Sequence, residues 1–180
     1  MPRLFTALEV PETVGMALSL LRGGLPGARW IDVENYHITL CFIGDLDDAL
    51  ARDVAEALDG VRRPAFEVTV ADLDAFGGAR PKAVYAAVAP VPALMELQAA
   101  QERLLRRLGV PMENRQYTPH VTLARLRVEA TARRTADWLA LRGGGRHSFR
   151  AERFVLMSSR DSVGGGPYII EEAYDLQGAA

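Results

Sequence analysis

The sequence predicts an α+β fold. Three observations carry that prediction. Stretches of alternating or β-branched character recur along the whole chain, amphipathic stretches fall among them, and strands come in neighbouring pairs without strict β-α-β alternation. A doubly wound parallel sheet would need that alternation. The 180 residues are 49% hydrophobic and 24% charged, a globular balance with enough apolar side chain for a core.

Taken in order, "RLFTALEV" reads as a strand closed by Pro11. "ETVGMALSLLRGG" reads as a helix ended by Gly23 and Gly24. "ARWIDV" is a short extended piece, and "YHITLCFIG" is a β-branched, aromatic strand. Asp45 is the expected N-cap of a helix in "LDDALARDVAEALDG", stopped near Gly60. "FEVTVADLDAF" and "AVYAAVAP" are strands joined by the loop "GGARPK". "ALMELQAAQERLLRRLG" gives the longest helix, with Leu94, Leu97, Leu104, Leu105 and Leu108 near helical spacing. "PHVTLARLRV" is a strand, and "TARRTADWLALRGGG" is a short helix or a loop. "FRAERFVLMSS" and "PYIIEEAYDL" close the chain as strands around the turn "RDSVGGG". No linker or low-complexity segment interrupts this series, so residues 1–180 read as one domain.

The net charge is −2. A protein that coats long nucleic acid usually carries a basic excess, so any such contact here should be local: a terminus, a short oligomer or a nucleotide. Cys41 is the only cysteine, which excludes an intramolecular disulfide and a cysteine metal cluster. The opening "MPRLFTALEVPET" is too polar for a signal-peptide core, and no apolar run reaches the roughly 20 residues of a membrane helix. A cytoplasmic protein without a membrane partner is expected.

Two of the three histidines share one pattern: His37-Ile-Thr39-Leu and His120-Val-Thr122-Leu, 83 positions apart. With eight threonines in 180 residues, a chance repeat of this kind is rare. Strand side chains alternate faces, so each His shares a face with its Thr while the β-branched residue and Leu take the other. The apolar pair can anchor a core. If the opposite faces meet at one cleft, two imidazoles and two hydroxyls surround one cavity. Imidazole titrates near pH ~6.5, so one ring can serve as base while the other serves as acid. Hydroxyls can hold oxyanion oxygens. An anion between base and acid suggests in-line phosphoryl chemistry. The plainer alternative is two histidines at a surface or core edge. The order before each motif is loosely alike (strand, helix, loop, motif strand), which suggests two similar lobes.

On these motifs the chain resembles the RNA 2′,3′-cyclic phosphodiesterase family, also called the 2′-5′ RNA ligase family, within the two-histidine phosphoesterases. "NYHITLCFIGDL" and "YTPHVTLAR" carry the resemblance, and "RLFTALEVPETV", "RPKAVYAAV" and "LMSSRDSVGGGPYIIEEAYDL" extend it over nearly the whole chain. It implies a bilobal α+β fold, with two antiparallel-rich sheets and outer helices around a central cleft. It implies hydrolysis of a terminal 2′,3′-cyclic phosphate on RNA to a 2′-phosphate, without metal or cofactor. It also implies roles: His37 as proton donor, His120 as proton acceptor, Thr39 and Thr122 on phosphate oxygens, and Arg125 adding charge. The partners expected are RNA 3′ ends or short oligonucleotides, and the protein is expected to act as a monomer. Arg125 raises a parity problem. It lies five residues after His120 and faces away from the cleft on an ideal strand, so a bend or bulge near Ala124 is required.

Other residues carry weaker signals. Tyr117 and Tyr36 flank the motifs and can stack a base or pack in the core. Cys41 shares the His37 face by parity and reads as a packing residue, and Phe42 falls on the core face. His147 reads as a solvated loop histidine, and Arg80 and Lys82 either meet the RNA backbone or form a plain charged loop. "VGGGP" lacks the Lys-Ser/Thr of a P-loop and reads as a turn. Rival readings are 2′-5′ ligation, cyclic-nucleotide hydrolysis and a non-catalytic RNA-end binding module. A zinc site has no third ligand at recognisable spacing.

Overall fold

Thr131, which the sequence left in a helix or a loop, caps a full helix. Its side chain accepts from the Arg134 N–H at 3.2 Å and starts α4 (Ala132–Arg142). The computed structural model describes residues 3–143, 145–159 and 166–178. The other helices are α1 (Glu12–Ser19), α2 (Asp48–Leu58) and α3 (Pro92–Arg107). The strands are β1 (Arg3–Glu9), β2 (Ala28–Trp30), β3 (His37–Asp45), β4 (Phe66–Phe76), β5 (Ala83–Val88), β6 (His120–Leu126), β7 (His147–Ala151), β8 (Arg153–Ser159) and β9 (Tyr168–Asp175). The α+β class holds: helices lie among strands that pair antiparallel throughout.

Three local expectations are corrected. The N-cap of α2 is Asp47, whose carboxylate accepts from the Leu50 N–H at 2.8 Å, because Asp45 still belongs to β3. "FRAERFVLMSS" forms two strands, not one, broken at Glu152. His147 opens β7 and is not in a loop. The turn "RDSVGGG" falls on residues 160–166 and, except for Gly166, lies outside the described residues.

The strand order is β7-β4-β5-β6-β3-β1-β8-β9, with β2 paired to β6. Two four-stranded halves are evident, each with its motif strand innermost. They join into one sheet through a single pair, Ile38 with Val121. The halves also approach at their far ends. β7 pairs with β4 in one half, β8 pairs with β1 in the other, and only Glu152 separates them in sequence. Two residues either side of one linker lie within about 7 Å, so the sheet must curl until its halves meet at that corner. The likeness between the halves is partly structural: each runs strand, helix, motif strand, as β1-α1-β3 and β5-α3-β6, with β2 inserted before β3 in the first.

The main core fills one face of the sheet. It contains Ile38, Leu40, Val121 and Leu123 from the motifs, with Leu94, Leu97 and Leu105 of α3 packed on it. The apolar partners of His and Thr thus take the predicted side. A smaller cluster, Phe5, Ala7, Val155 and Met157, lies on the other face of β1 and β8.

Both motif strands carry a bulge at their Leu. In β6, Ala124 pairs with Val84 and Thr122 with Tyr85, leaving Leu123 as the extra residue. In β3, Cys41 pairs with Thr6 and Thr39 with Ala7, leaving Leu40 as the extra residue. A bulge shifts the alternation by one. Leu123 and Ala124 are therefore buried in succession, as are Leu40 and Cys41. Two sequence expectations fail for this reason. Cys41 turns away from the His37 face into the core, where its thiol lies 3.7 Å from the Gln98 carbonyl and burial pushes it up to about 12. Phe42 leaves the core face and is 58% exposed.

Candidate active site

The Ile38–Val121 pair sets the geometry of the two motifs. Extending that antiparallel register one residue each way sets His37 across from Thr122, and Thr39 across from His120. All four side chains then share the face opposite the core. They line one cavity of about 200 Å³, with Asn35, Phe76, Arg125 and Tyr168 among its other walls. The bulge at Leu123 supplies the parity shift that Arg125 requires, and Arg125 reaches this cavity.

The two histidines are held alike. His37 Nδ1 lies 2.9 Å from the Asn35 carbonyl, and His120 Nδ1 lies 2.7 Å from the Thr118 carbonyl. Both carbonyls belong to the residue two positions earlier. A carbonyl only accepts, so Nδ1 carries the proton in each ring and Nε2 is left as the working nitrogen. His37 Nε2 lies 3.0 Å from Thr39 Oγ1, so the neutral ring accepts from that hydroxyl. Among the described residues, His120 Nε2 makes no hydrogen bond.

Each ring also rests on a pair of aromatic side chains. Phe5 and Tyr168 lie with centroids 5.1 and 4.9 Å from His37. Phe76 and Tyr85 lie 4.8 and 5.2 Å from His120. These walls cover part of each ring and fix the imidazole planes. Burial is also the leading reason both histidines titrate below their ordinary value. The carbonyl bond at Nδ1 opposes this shift in each ring. The Arg125 guanidinium lowers both further, and His37 is lowered as well by His120. With the Arg125 guanidinium among its walls, the cavity is a setting for an anion.

Tyr117 stands apart from these cavity walls. It packs against the main core, and its hydroxyl donates to the Thr39 carbonyl at 2.7 Å, bracing β3 from behind. Tyr36 is buried in the same core. His147 begins the strand at the far edge of the sheet, away from the cavity. The residues that sequence reasoning missed are Asn35 and the aromatic supports Phe5, Phe76, Tyr85 and Tyr168. The only signal of the four supports was an aromatic on the alternating pattern of a neighbouring strand, which does not say which face meets the motifs; Asn35, in the turn before β3, carried none.

The family model for the 2′-5′ RNA ligase superfamily matches residues 27–162, which include both motifs. A protein of Thermotoga maritima named RNA 2′,3′-cyclic phosphodiesterase is 31% identical over 133 residues, covering 69% of this chain and 70% of its own length. One of Aeropyrum pernix with the same name is 33% identical over 111 residues, covering 61% of this chain. The chain spans 62% of the length of that relative and 41% of one from Geobacillus stearothermophilus, 30% identical and likewise named. Among solved structures, E. coli LigT complexed with 3′-AMP superposes with a TM-score of 0.82 at 23% identity, covering 98% of this chain and 99% of that one. TT0787 of Thermus thermophilus superposes at 0.79 with 21% identity, covering 99% and 100%. These two likenesses show the shared fold. The family match, which spans both motifs, says where the paired His-x-Thr strands belong: this chain is a member of the 2′-5′ RNA ligase superfamily.

Proposed function

We propose that the chain is one bilobal catalytic unit that hydrolyses a terminal 2′,3′-cyclic phosphate on RNA to a 2′-phosphomonoester by histidine acid–base catalysis. The observation that carries this reading is the matched pair of histidines, each tied through Nδ1 to a carbonyl and turned through Nε2 to one cavity. The name shared by several relatives agrees with it.

In this reading, His120 takes a proton from water through its unengaged Nε2, and the water oxygen attacks phosphorus. His37 gives its Nε2 proton to the 3′ oxygen as the P–O3′ bond breaks. The phosphate stays on the 2′ oxygen, and the proton gained by His120 restores the pair through solvent. Thr39 and Thr122 hold non-bridging oxygens, with Arg125 holding charge beside them. Tyr117 sets the position of Thr39. Depressed in the empty site, the histidines are both neutral near pH 7, and the anionic substrate is what favours protonation of one. Preorganised acid, base and oxyanion donors suffice for a strained cyclic ester. The lone cysteine fits a reducing cytoplasm, and the site as described is complete in one copy, as a monomer requires.

The test is an RNA oligomer with a 2′,3′-cyclic end, incubated in strong chelator, with identification of the phosphomonoester formed. A 2′-phosphate is expected, with H37A and H120A each lowering the rate by about 10²–10⁴-fold while melting normally. Near-normal rates in both variants overturn the mechanism. Tight binding of 2′-phosphorylated RNA without turnover would favour the binding-module reading.

A further inference from the structure

Two guanidiniums share one rung of the sheet. β2 and β6 pair Arg29 with Arg125, and cross-strand partners carry their side chains on the same face, Cβ atoms about 4.5–5.5 Å apart. Arg125 lines the histidine cavity, so Arg29 stands beside it at the rim. The backbone there is closely fitted. Gly27 (φ 86°) would carry a Cβ only 2.6 Å from the Ala130 nitrogen, and its carbonyl accepts from the Arg127 N–H at 2.9 Å. This close approach holds β2 on β6 and with it Arg29 beside Arg125.

Like charges directly opposite on a ladder are unfavourable. Among the described residues neither arginine has an ion-pair partner. Arg29 also lines a second cavity of about 270 Å³, whose walls include Ile31 and Asn35. Both of these residues line the histidine cavity too, so the two spaces adjoin across one ridge. Asp32 and Glu34 also line the second cavity and disfavour an anion beside them. The Arg29–Arg125 pair is the place on this rim that favours one. Arg29 sits one strand beyond Arg125, a step of about 4.8 Å before its long side chain is counted. That reach suits the next phosphate of a nucleic-acid strand.

We propose that Arg29 binds the phosphodiester on the 5′ side of the terminal nucleotide, making the site selective for an oligonucleotide over a mononucleotide. This rests on reading the histidine cavity as a cyclic-phosphate site. Arg29 is a specificity-determining residue here and takes no part in the proton transfers.

The test compares three substrates ending in a 2′,3′-cyclic phosphate: a mononucleotide, a dinucleotide, and a dinucleotide with a neutral methylphosphonate link. The wild type is expected to prefer the charged dinucleotide by about 10–100-fold in kcat/KM, the range of a charge-assisted hydrogen bond. R29A should lose most of that preference through KM, and R29K should restore part of it. The salt dependence for the dinucleotide should fall by about 0.7 in log–log slope in R29A. Equal losses on mononucleotide and charged dinucleotide, or none on either, overturn the inference. So does a wild type that treats the two dinucleotides alike. Calorimetric binding of mono- and dinucleotides ending in 2′-phosphate separates this inference from the reading beneath it. A wild type without turnover, but with dinucleotide binding weakened selectively by R29A, removes the reaction and keeps the Arg29 site. Turnover with an unselective R29A keeps the reaction and removes the site.

Discussion

Replacing Thr6 with valine tests whether the bulge in β3 is held by one buried hydroxyl. The extra residue Leu40 disrupts the β1–β3 ladder beside Cys41. The Cys41 N–H is rescued by Thr6 Oγ1 at 3.1 Å, and the same hydroxyl donates to Gln101 Oε1 at 2.6 Å. Thr6 and Gln101 are both fully buried, so water cannot replace either bond. Valine keeps the shape and strands two groups, the Cys41 N–H and Gln101 Oε1. Each buried orphan costs about 1–3 kcal/mol, so T6V should lose roughly 2–6 kcal/mol. For a chain of this size that is a fall in Tm of roughly 4–24 °C, at about 2–4 °C per kcal/mol. Urea unfolding supplies the free energy, and T6S, which keeps the hydroxyl, should lose only about 1 kcal/mol for its missing methyl. The T6V/Q101L double variant should recover part of the loss. Leucine removes the stranded Oε1, together with a buried Gln101 Nε2 that has no partner among the described residues. T6V unfolding within about 0.5 kcal/mol of the wild type, or a double variant weaker than T6V, would refute the reasoning.

Two further outcomes follow from the site's electrostatics. Both histidines titrate below 6.5 when folded, so the unfolded chain takes up protons first as the pH drops. Their contribution to stability is complete above 6.5 and is lost as pH falls from there toward the folded pKa values. Urea midpoints should decrease over that window, and the decrease should be shallower in the H37N/H120N variant. Arg125 depresses both rings, so R125A should move both titrations upward, read from imidazole NMR shifts against pH. If neither resonance moves, Arg125 does not act on the cavity in the way described.

Most of the elements were legible because their signals are local. Alternation marked β1 and β4, leucine spacing marked α3, and β-branched residues marked both motif strands. The boundaries at Asp47 and Glu152 were not. Two aspartates near a helix start look alike until one carboxylate meets an N–H, and a strand that changes partners in mid-run shows no break in its pattern. The faces of His37, Thr39, His120 and Thr122 followed from alternation alone. Beyond each motif that rule failed, at Cys41 and Phe42 in one strand and for Arg125 in the other, because a bulge depends on the neighbouring strand's hydrogen bonds.

The sequence by itself determined the α+β class, the two motif strands and the side on which each imidazole sits, since these depend on residue order and a two-residue period. Only the tertiary structure decided that the two strands are neighbours, joined at Ile38 and Val121. It also decided that bulges bring Arg125 to the cavity and send Cys41 into the core, and that four aromatic rings drawn from other strands support the histidines. Those relations join residues tens of positions apart, and they arise where the curled sheet packs one strand against the next.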